Sequence, residues 1–242
     1  MGLFDFFTGG GSPEKVIAKH HKRLTDAYRQ SHERYLAMDE LLKIGSYEAL
    51  TALLDRFTIR VSGTTVDEEE KNHCYQLVKE CGETAVEPIV AFIKENNAVY
   101  FPLQALRDIA GDEKAVNTLL AAMKDCDPGY HQGLDRLREI VSNLRDFRHD
   151  RVRQALVDLL TSRSDEIRFY ALDGLAGYPN DEITIYFAER LMDADESQRV
   201  KALACELAIE HELNFKKWAT EVTTGLGEQY KLTSEFHIAR HG

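Results

Sequence analysis

The sequence predicts an all-α protein, an α-solenoid of about five or six helical hairpins with an N-terminal capping helix and a small C-terminal β-hairpin. Two observations predict this class. A hairpin-like pattern recurs at intervals of 30 to 36 residues, and only 5 of the 242 residues are the helix breaker proline. About 30 residues suffice for two helices of three turns with short connections. Because one hairpin cannot cover its own apolar stripe, each copy needs a neighbour.

The repeat is clearest in LRDIAGDEKAVNTLLAAMKD (106–125), where one amphipathic run ends at Gly111 and a second follows a charged turn. The apolar residues of the second run lie at i, i+3, i+4 and i+7, which is a helical stripe. Related segments begin at residues 41, 77, 144, 175 and 207. The first apolar residue after each turn is predicted to lie in the core: Leu50, Val86, Val116, Val152, Ile183 and Leu213. The first helices are predicted to end at glycines with positive φ, namely Gly45, Gly82, Gly111 and Gly177.

The chain begins with an apolar tip, residues 1–12, in which Leu3, Phe4, Phe6 and Phe7 precede three glycines. Two interpretations stay open: a disordered or capping segment, or a short peptide that docks on a partner or a membrane. Ser12 is expected to cap a first helix that runs from Pro13 to about Arg29.

The hairpins are predicted over residues 13–224, with an irregular connection at 57–69. There Asp67 is expected to cap the next helix, with Glu70 in a capping-box arrangement on a solvated loop. Residues 225–242 are predicted to form the C-terminal cap. Tyr230 and Leu232, then the pair Phe236 and Ile238, alternate with polar residues as in a β-hairpin.

The composition and the missing motifs argue against several classes of function. With 41 acidic and 30 basic side chains the net charge is −11, which opposes general adhesion to nucleic acid or acidic membranes. The 4 cysteines are scattered without a CxxC pair, and neither a secretory signal nor a membrane-spanning run is visible. These features predict a reduced, cytoplasmic protein. The histidines form no metal-ligand spacing, and no phosphate-binding glycine loop occurs, so neither a metal nor a cofactor is expected.

Two basic clusters remain, in residues 15–34 and 136–153. They have two interpretations: a helix surface whose arginines pair with nearby acids, or a patch that binds phosphate, nucleic acid or an acidic partner. The candidate anion-binding residues are Lys15, Lys19, Lys22, Arg23, Arg138, Arg145 and Arg148.

A family resemblance rests on DEIRFYALDGLAGYPNDEITIYFAERLMD and ESQRVKALACELA, where an acidic turn precedes Ile or Val, then Arg or Lys, then Ala-Leu. This pattern resembles the short bacterial HEAT-like repeats of the PBS-lyase type, over most of residues 32–224. In such repeats the second helix of each hairpin lines a groove for a partner. The resemblance therefore implies these contact residues: Tyr47, Thr51, Glu87, Asn117, Arg151, Gln154 and Tyr186.

The resemblance implies a non-catalytic scaffold or adaptor that binds a protein partner along its groove. One alternative is a nucleic-acid-binding protein or a DNA alkylation-repair glycosylase, because those enzymes use a related solenoid. They need a basic, aromatic concave surface, whereas this chain is acidic and has only Trp218 as tryptophan. A second alternative is an enzyme similar to the phycobilin lyases, in which related repeats occur.

Overall fold

The computed structural model describes residues 12–126 and 131–241. Within these ranges the chain forms twelve α-helices and one small antiparallel sheet, which confirms the predicted, predominantly helical class. The packing divides the chain into two compact units, unit 1 ending at Asp125 and unit 2 beginning at Cys126. None of the described helices combines the length and hydropathy that crossing a membrane requires. The apolar tip residues Leu3, Phe4, Phe6 and Phe7 lie outside the described ranges.

Unit 1 contains the first six helices. They are α1 (Pro13–Thr25), α2 (Ser31–Ile44), α3 (Tyr47–Leu54), α4 (Thr64–Glu80), α5 (Val86–Glu95) and α6 (Tyr100–Lys124). A short 3-10 turn at Asp55–Thr58 follows α3, and a second one at Gly82–Ala85 precedes α5. Gly111, with φ 80° and ψ 170°, divides α6 into two helical halves, as the repeat pattern predicts. The first helix ends at Thr25 rather than near Arg29, and residues 26–30 connect it to α2.

Alternate helices of unit 1 pack on one another. α2 contacts α4, and α4 contacts α6; on the other side α3 contacts α5, and α5 contacts α6. α1 packs against α2 and α3. The predicted core positions Leu50, Val86 and Val116 are buried, so the apolar spacing correctly predicts these core residues.

Unit 2 contains six further helices. They are α7 (His131–Leu144), α8 (Asp150–Leu159), α9 (Asp165–Leu175), α10 (Asn180–Met192), α11 (Gln198–Glu210) and α12 (Ala219–Gly225). α9 contacts α7, α8 and α11, while α10 contacts α11 and α12. Val152, Ile183 and Leu213 each have no exposed surface, which confirms them as core residues.

The predicted C-terminal hairpin is present. β1 (Tyr230–Leu232) pairs antiparallel with β2 (Ile238–Arg240), with Leu232 opposite Ile238. β1 contacts α12 and β2 contacts α11, so the hairpin covers the last helices of unit 2. Phe236 departs from the prediction, because its φ of 69° places it in the turn rather than in the second strand.

The glycine prediction is confirmed at three positions and wrong at one. Gly45, Gly82 and Gly111 have φ values of 61°, 55° and 80°, but Gly177 does not have a positive φ. A Cβ atom at Gly177 would lie 1.9 Å from Nη2 of Arg148. At this position glycine therefore provides space for a neighbouring guanidinium group rather than a left-handed backbone.

Candidate functional site

The predicted groove residues of unit 1 lie on neighbouring helices. Tyr47 and Thr51 belong to α3, Glu87 to α5 and Asn117 to the second half of α6. The side chain of Tyr47 is half exposed, and Glu87 and Asn117 are exposed. A 3.5 Å ion pair between Glu87 and Lys114 joins α5 to the second half of α6. These four residues therefore provide aromatic and polar groups on helices that are in contact, since α5 contacts both α3 and α6.

The predicted groove residues of unit 2 lie on α8 and α10. Arg151 and Gln154 are exposed on α8, and Gln154 donates a 2.9 Å hydrogen bond to Asp158. Tyr186 is half-buried on α10 beside Ile185, whose side chain is 41% exposed. These side chains provide aromatic and polar groups like those in unit 1, together with the apolar side chain of Ile185.

The basic cluster of unit 2 is largely occupied by its own acids. Arg145 donates to Asp173 at 2.6 Å, and Arg138 lies 3.4 Å from Glu166. Arg148 donates to the carbonyl of Arg145 and lies over the ring of Tyr178, 5.5 Å from its centroid. This arrangement is the paired helix surface that was one of the two interpretations of the cluster.

The basic cluster of unit 1 is different. Lys15, Lys19 and Lys22 are exposed on α1, and Arg23 is half-exposed. None of the four side chains forms an ion pair or hydrogen bond with another residue of the described ranges 12–126 and 131–241. The two predicted clusters lie in different units, and only the α1 cluster presents unpaired cations.

A buried ionic network, which the sequence did not predict, joins α2, α4 and the turn after α3. The Glu70 carboxylate accepts hydrogen bonds from Arg34 at 2.6 and 2.8 Å, from Arg56 at 3.0 Å and from Ser31 at 2.6 Å. Arg56 also donates to Asp67 at 2.8 Å. The side chains of Arg56 and Glu70 are fully buried, so two cations and a carboxylate satisfy one another away from water.

The network contradicts the predicted capping role of Asp67 and Glu70. α4 begins at Thr64, with Gly63 at the N-cap, so Asp67 already lies inside the helix. Burial alone raises the pKa of Glu70, but hydrogen bonds from Arg34 and Ser31 and the nearby charge of Arg56 outweigh it and lower the pKa. The carboxylate therefore stays ionised, although its surroundings exclude water.

Unit 2 contains a second buried carboxylate of the same kind. Glu196 is fully buried; it accepts from Arg168 at 2.6 and 2.9 Å, and Arg190 lies 3.3 Å away. The pair Arg138–Glu166 lies 30 residues earlier in the chain, and both pairs are separated by 28 residues in sequence. Arg138 lies in α7 and Glu166 in the first turn of α9, whereas Arg168 lies in α9 and Glu196 just before α11. A fixed Arg-to-acid spacing is the sequence signal that identifies these contacts.

The titratable groups of the described residues do not assemble a reactive centre around a metal. In these ranges no group of three or more His, Cys, Asp or Glu side chains has a metal-binding arrangement. Burial raises the pKa of Cys74, and it raises the pKa of Cys205 to about 12, which keeps both thiols protonated and weakly nucleophilic. His21 pairs with Asp55 at 2.7 Å and thereby joins α1 to the turn after α3.

Comparison of the sequence with models of known protein families and with curated proteins gives no match. Functional inference for this chain therefore depends on its residues and their geometry.

Proposed function

We propose that this protein is a non-catalytic interaction scaffold, in which HEAT-like hairpins stack as an α-solenoid and a protein partner lies along the second helices. The proposal depends mainly on the surface formed by Tyr47, Glu87 and Asn117 on α3, α5 and the second half of α6. Helices held by a packed core fix the backbone that carries these side chains, so binding does not have to order that backbone.

The repeated ion pairs support the stacking of hairpins. Arg138–Glu166 and Arg168–Glu196 link successive first helices or their turns, and both partners are displaced by 30 residues from one pair to the next. A contact repeated at the interval of the sequence pattern is expected where consecutive hairpins repeat the same packing.

We further propose that the scaffold works in the cytoplasm of a bacterial cell and needs no cofactor. All four cysteines, Cys74, Cys81, Cys126 and Cys205, are free thiols. Proteins of reducing compartments typically keep their cysteines in this state.

The scaffold is preferred to the nucleic-acid and glycosylase alternatives because of the charges in unit 2. A nucleic-acid surface needs basic groups that are available to phosphates. Arg138 and Arg145 instead pair with Glu166 and Asp173. The phycobilin-lyase alternative has the repeats in its favour but no residue of the described ranges that points to its chemistry.

The test is photo-crosslinking in lysate of the source cell, with benzoylphenylalanine placed at Tyr47 in one variant and at Asn117 in another. The control carries the same group at Gln76, an exposed residue of the first helix α4. We expect one protein to be crosslinked from both Tyr47 and Asn117, but not from Gln76.

A charge reversal links the crosslink to the surface itself. Glu87→Lys should lower the crosslinking yield at Tyr47 while thermal unfolding stays unchanged, because the Glu87 side chain is 74% exposed. Equal crosslinking from Gln76, or no crosslinked protein from either groove position, would contradict the proposal.

A further inference from the structure

The first helix is attached to unit 1 by few buried side chains. Of the 13 residues of α1, all within the described ranges, His20 and Leu24 are buried. The neighbouring helix α2, with 14 residues, buries four. α1 contacts α2, α3 and the turn after α3. Elements with few buried contacts open locally at a lower free energy than the packed core, so the closed position of α1 depends strongly on these two side chains.

The connection after α1 is fixed in place. Nη1 of Arg34 donates hydrogen bonds to the backbone carbonyls of Asp26 and Arg29. Arg34 is itself held by the buried carboxylate of Glu70. The backbone leaves the helical conformation at Asp26, where φ is −81° and ψ is 100°. An opening motion of α1 about Asp26 would therefore leave residues 26–30 docked on α2.

His20 lies in the interface of α1 with one ring nitrogen unpaired. The residue is 8% exposed, and its Nδ1 has no hydrogen-bond partner among the described residues. In a neutral ring Nδ1 can be the nitrogen without a proton, whereas a protonated ring carries N–H groups at both nitrogens. Protonation of His20 in the closed position thus buries a charge together with a donor that has no acceptor, which costs free energy.

The charges around His20 do not compensate for its burial. Burial is the largest influence, and it lowers the pKa of His20 below the ordinary value of 6.5. Glu40 of α2 favours the protonated ring, but it is already paired with Lys43 at 2.6 Å. Arg23 and Lys19 of α1 favour the neutral ring. The closed interface therefore prefers His20 without a charge.

The other elements packed against α1 contribute one opposing ion pair. Nε2 of His21 lies 2.7 Å from Asp55 in the turn after α3, so protonation of His21 strengthens the attachment. Both side chains are about one-third exposed, and water screens such a pair. Arg56 of the same turn is paired with buried acids, and Glu48 of α3 is exposed. The effect of His21 is thus opposite in sign to that of His20 and smaller.

We propose that α1 is an acid-released cap: protonation of His20 opens the interface of α1 about Asp26 and uncovers the sides of α2 and α3 that α1 covers at neutral pH. The attachment is complete above pH 6.5 and weakens as the pH falls below it, because the open state binds the proton more readily than the closed state. One proton changes the opening equilibrium by at most about tenfold between pH 7.5 and pH 5.5. This proposal concerns the attachment of α1 and does not depend on the scaffold function.

The experiment is hydrogen–deuterium exchange of the full chain, read by mass spectrometry at pH 7.5, 6.5 and 5.5. Each exchange rate in α1 is divided by the rate of a synthetic peptide of residues 12–26 at the same pH, which removes the pH dependence of the exchange chemistry itself. α5, which contains no histidine, reports on the rest of unit 1. The variants H20Q and H20M lack the titrating ring, and H21Q lacks the opposing ion pair. Far-UV circular dichroism verifies that each variant folds.

We expect the protection of α1 in the wild type to fall by up to about tenfold from pH 7.5 to pH 5.5, while the protection of α5 stays constant. In H21Q the fall should be larger, because the opposing pair is gone. In H20Q and H20M the protection of α1 should not change with pH, whatever its level at pH 7.5.

Three results would overturn the proposal. The first is a protection of α1 that is the same at all three pH values in the wild type. The second is an equal fall in the wild type and in both His20 variants, which would assign the effect to another group. The third is a parallel fall in α5, which would show that acid opens unit 1 as a whole rather than releasing α1.

Discussion

Replacing Glu70 by glutamine tests the buried network with a change of charge and almost none of shape. In the wild type the carboxylate accepts four hydrogen bonds, from Ser31, from Arg56 and twice from Arg34. A glutamine keeps one acceptor oxygen but directs an amide donor group toward guanidinium donors. It removes the carboxylate that Arg34 contacts and leaves the buried Arg56 with Asp67 as its remaining carboxylate partner.

The expected cost is large because the site is closed to water. Removing one partner of a buried ion pair typically costs about 3–5 kcal/mol, since the remaining charge stays buried and uncompensated. That is a substantial part of the roughly 5–15 kcal/mol by which a domain is stable. With a urea slope of about 2 kcal/mol per M, the unfolding midpoint of unit 1 should fall by about 2 M.

The assay uses a thiol in the same helix as its reporter. Cys74 lies in α4, has no exposed surface and donates to the carbonyl of Leu53 at 3.4 Å. Alkylation of Cys74, followed by peptide mass spectrometry across a urea series, therefore measures the opening of unit 1. The matched control is Glu87→Gln, an exposed glutamate whose 3.5 Å pair with Lys114 should contribute less than about 1 kcal/mol.

Acid provides an independent check on the same carboxylate. The pKa of Glu70 in the folded protein is lower than its ordinary value of 4.5. Its contribution to stability is therefore fully present above pH 4.5 and is lost as the pH falls through the lower, folded-state pKa. The Glu70→Gln variant should lack this part of the acid destabilisation that the wild type shows.

The reasoning would be refuted by a Glu70→Gln variant whose Cys74 is alkylated at the same urea concentration as in wild type. The reasoning would also be refuted if Glu70→Gln lost no more stability than Glu87→Gln, since that would show that burial does not strengthen the charge interaction.

Three further substitutions, the first two each with a matched control, test unit 2 by urea unfolding followed with far-UV circular dichroism. Glu196→Gln should lower the free energy of unfolding by about 3–5 kcal/mol, because the replaced carboxylate is buried. Glu166→Gln, which changes the half-exposed glutamate 30 residues earlier, should lower it by less than about 1 kcal/mol. Equal losses of stability would contradict the role of burial. Ile183→Asp should lower the free energy of unfolding by more than about 3 kcal/mol, because the side chain of Ile183 is 0% exposed. The control Ile185→Asp lies on the same helix and should be tolerated, because Ile185 is 41% exposed. Wild-type stability of the Ile183→Asp variant would refute the repeat assignment. Gly225→Ala should lower the free energy of unfolding by about 1–3 kcal/mol, because its Cβ would lie 1.8 Å from a backbone carbonyl oxygen of α10. An unchanged unfolding midpoint would show that this close approach is absent.

The helices and their core positions could be predicted from sequence alone. Helix formation and burial of a stripe are local properties, since apolar spacing of three and four residues determines which side faces inward. Ile183 and Leu213 were identified on this basis, and both are fully buried. The C-terminal strands could be predicted for the same reason, because apolar and polar residues alternate between the two faces of a short β-hairpin. Phe236 is the exception, since it lies in the turn.

The pairing of charges was the property that the sequence could not determine. Read locally, Asp67 and Glu70 have the spacing of a helix cap, and Arg138 and Arg145 are compatible with a paired helix surface or with an anion-binding patch. The structure instead pairs Glu70 with Arg34, 36 residues away, and Arg145 with Asp173, 28 residues away. Which charge meets which depends on how hairpins pack and on how much water remains between them.

The sequence by itself therefore determined the helical class, the core residues and the two-stranded end of this protein, because those depend on interactions within a few turns of chain. Only the tertiary structure decided which charges are buried, which are paired on the surface and which, on α1, have no partner among the described residues. The physical reason is that an ion pair depends on distance and dielectric surroundings, and both are set by the packing of segments far apart in the chain.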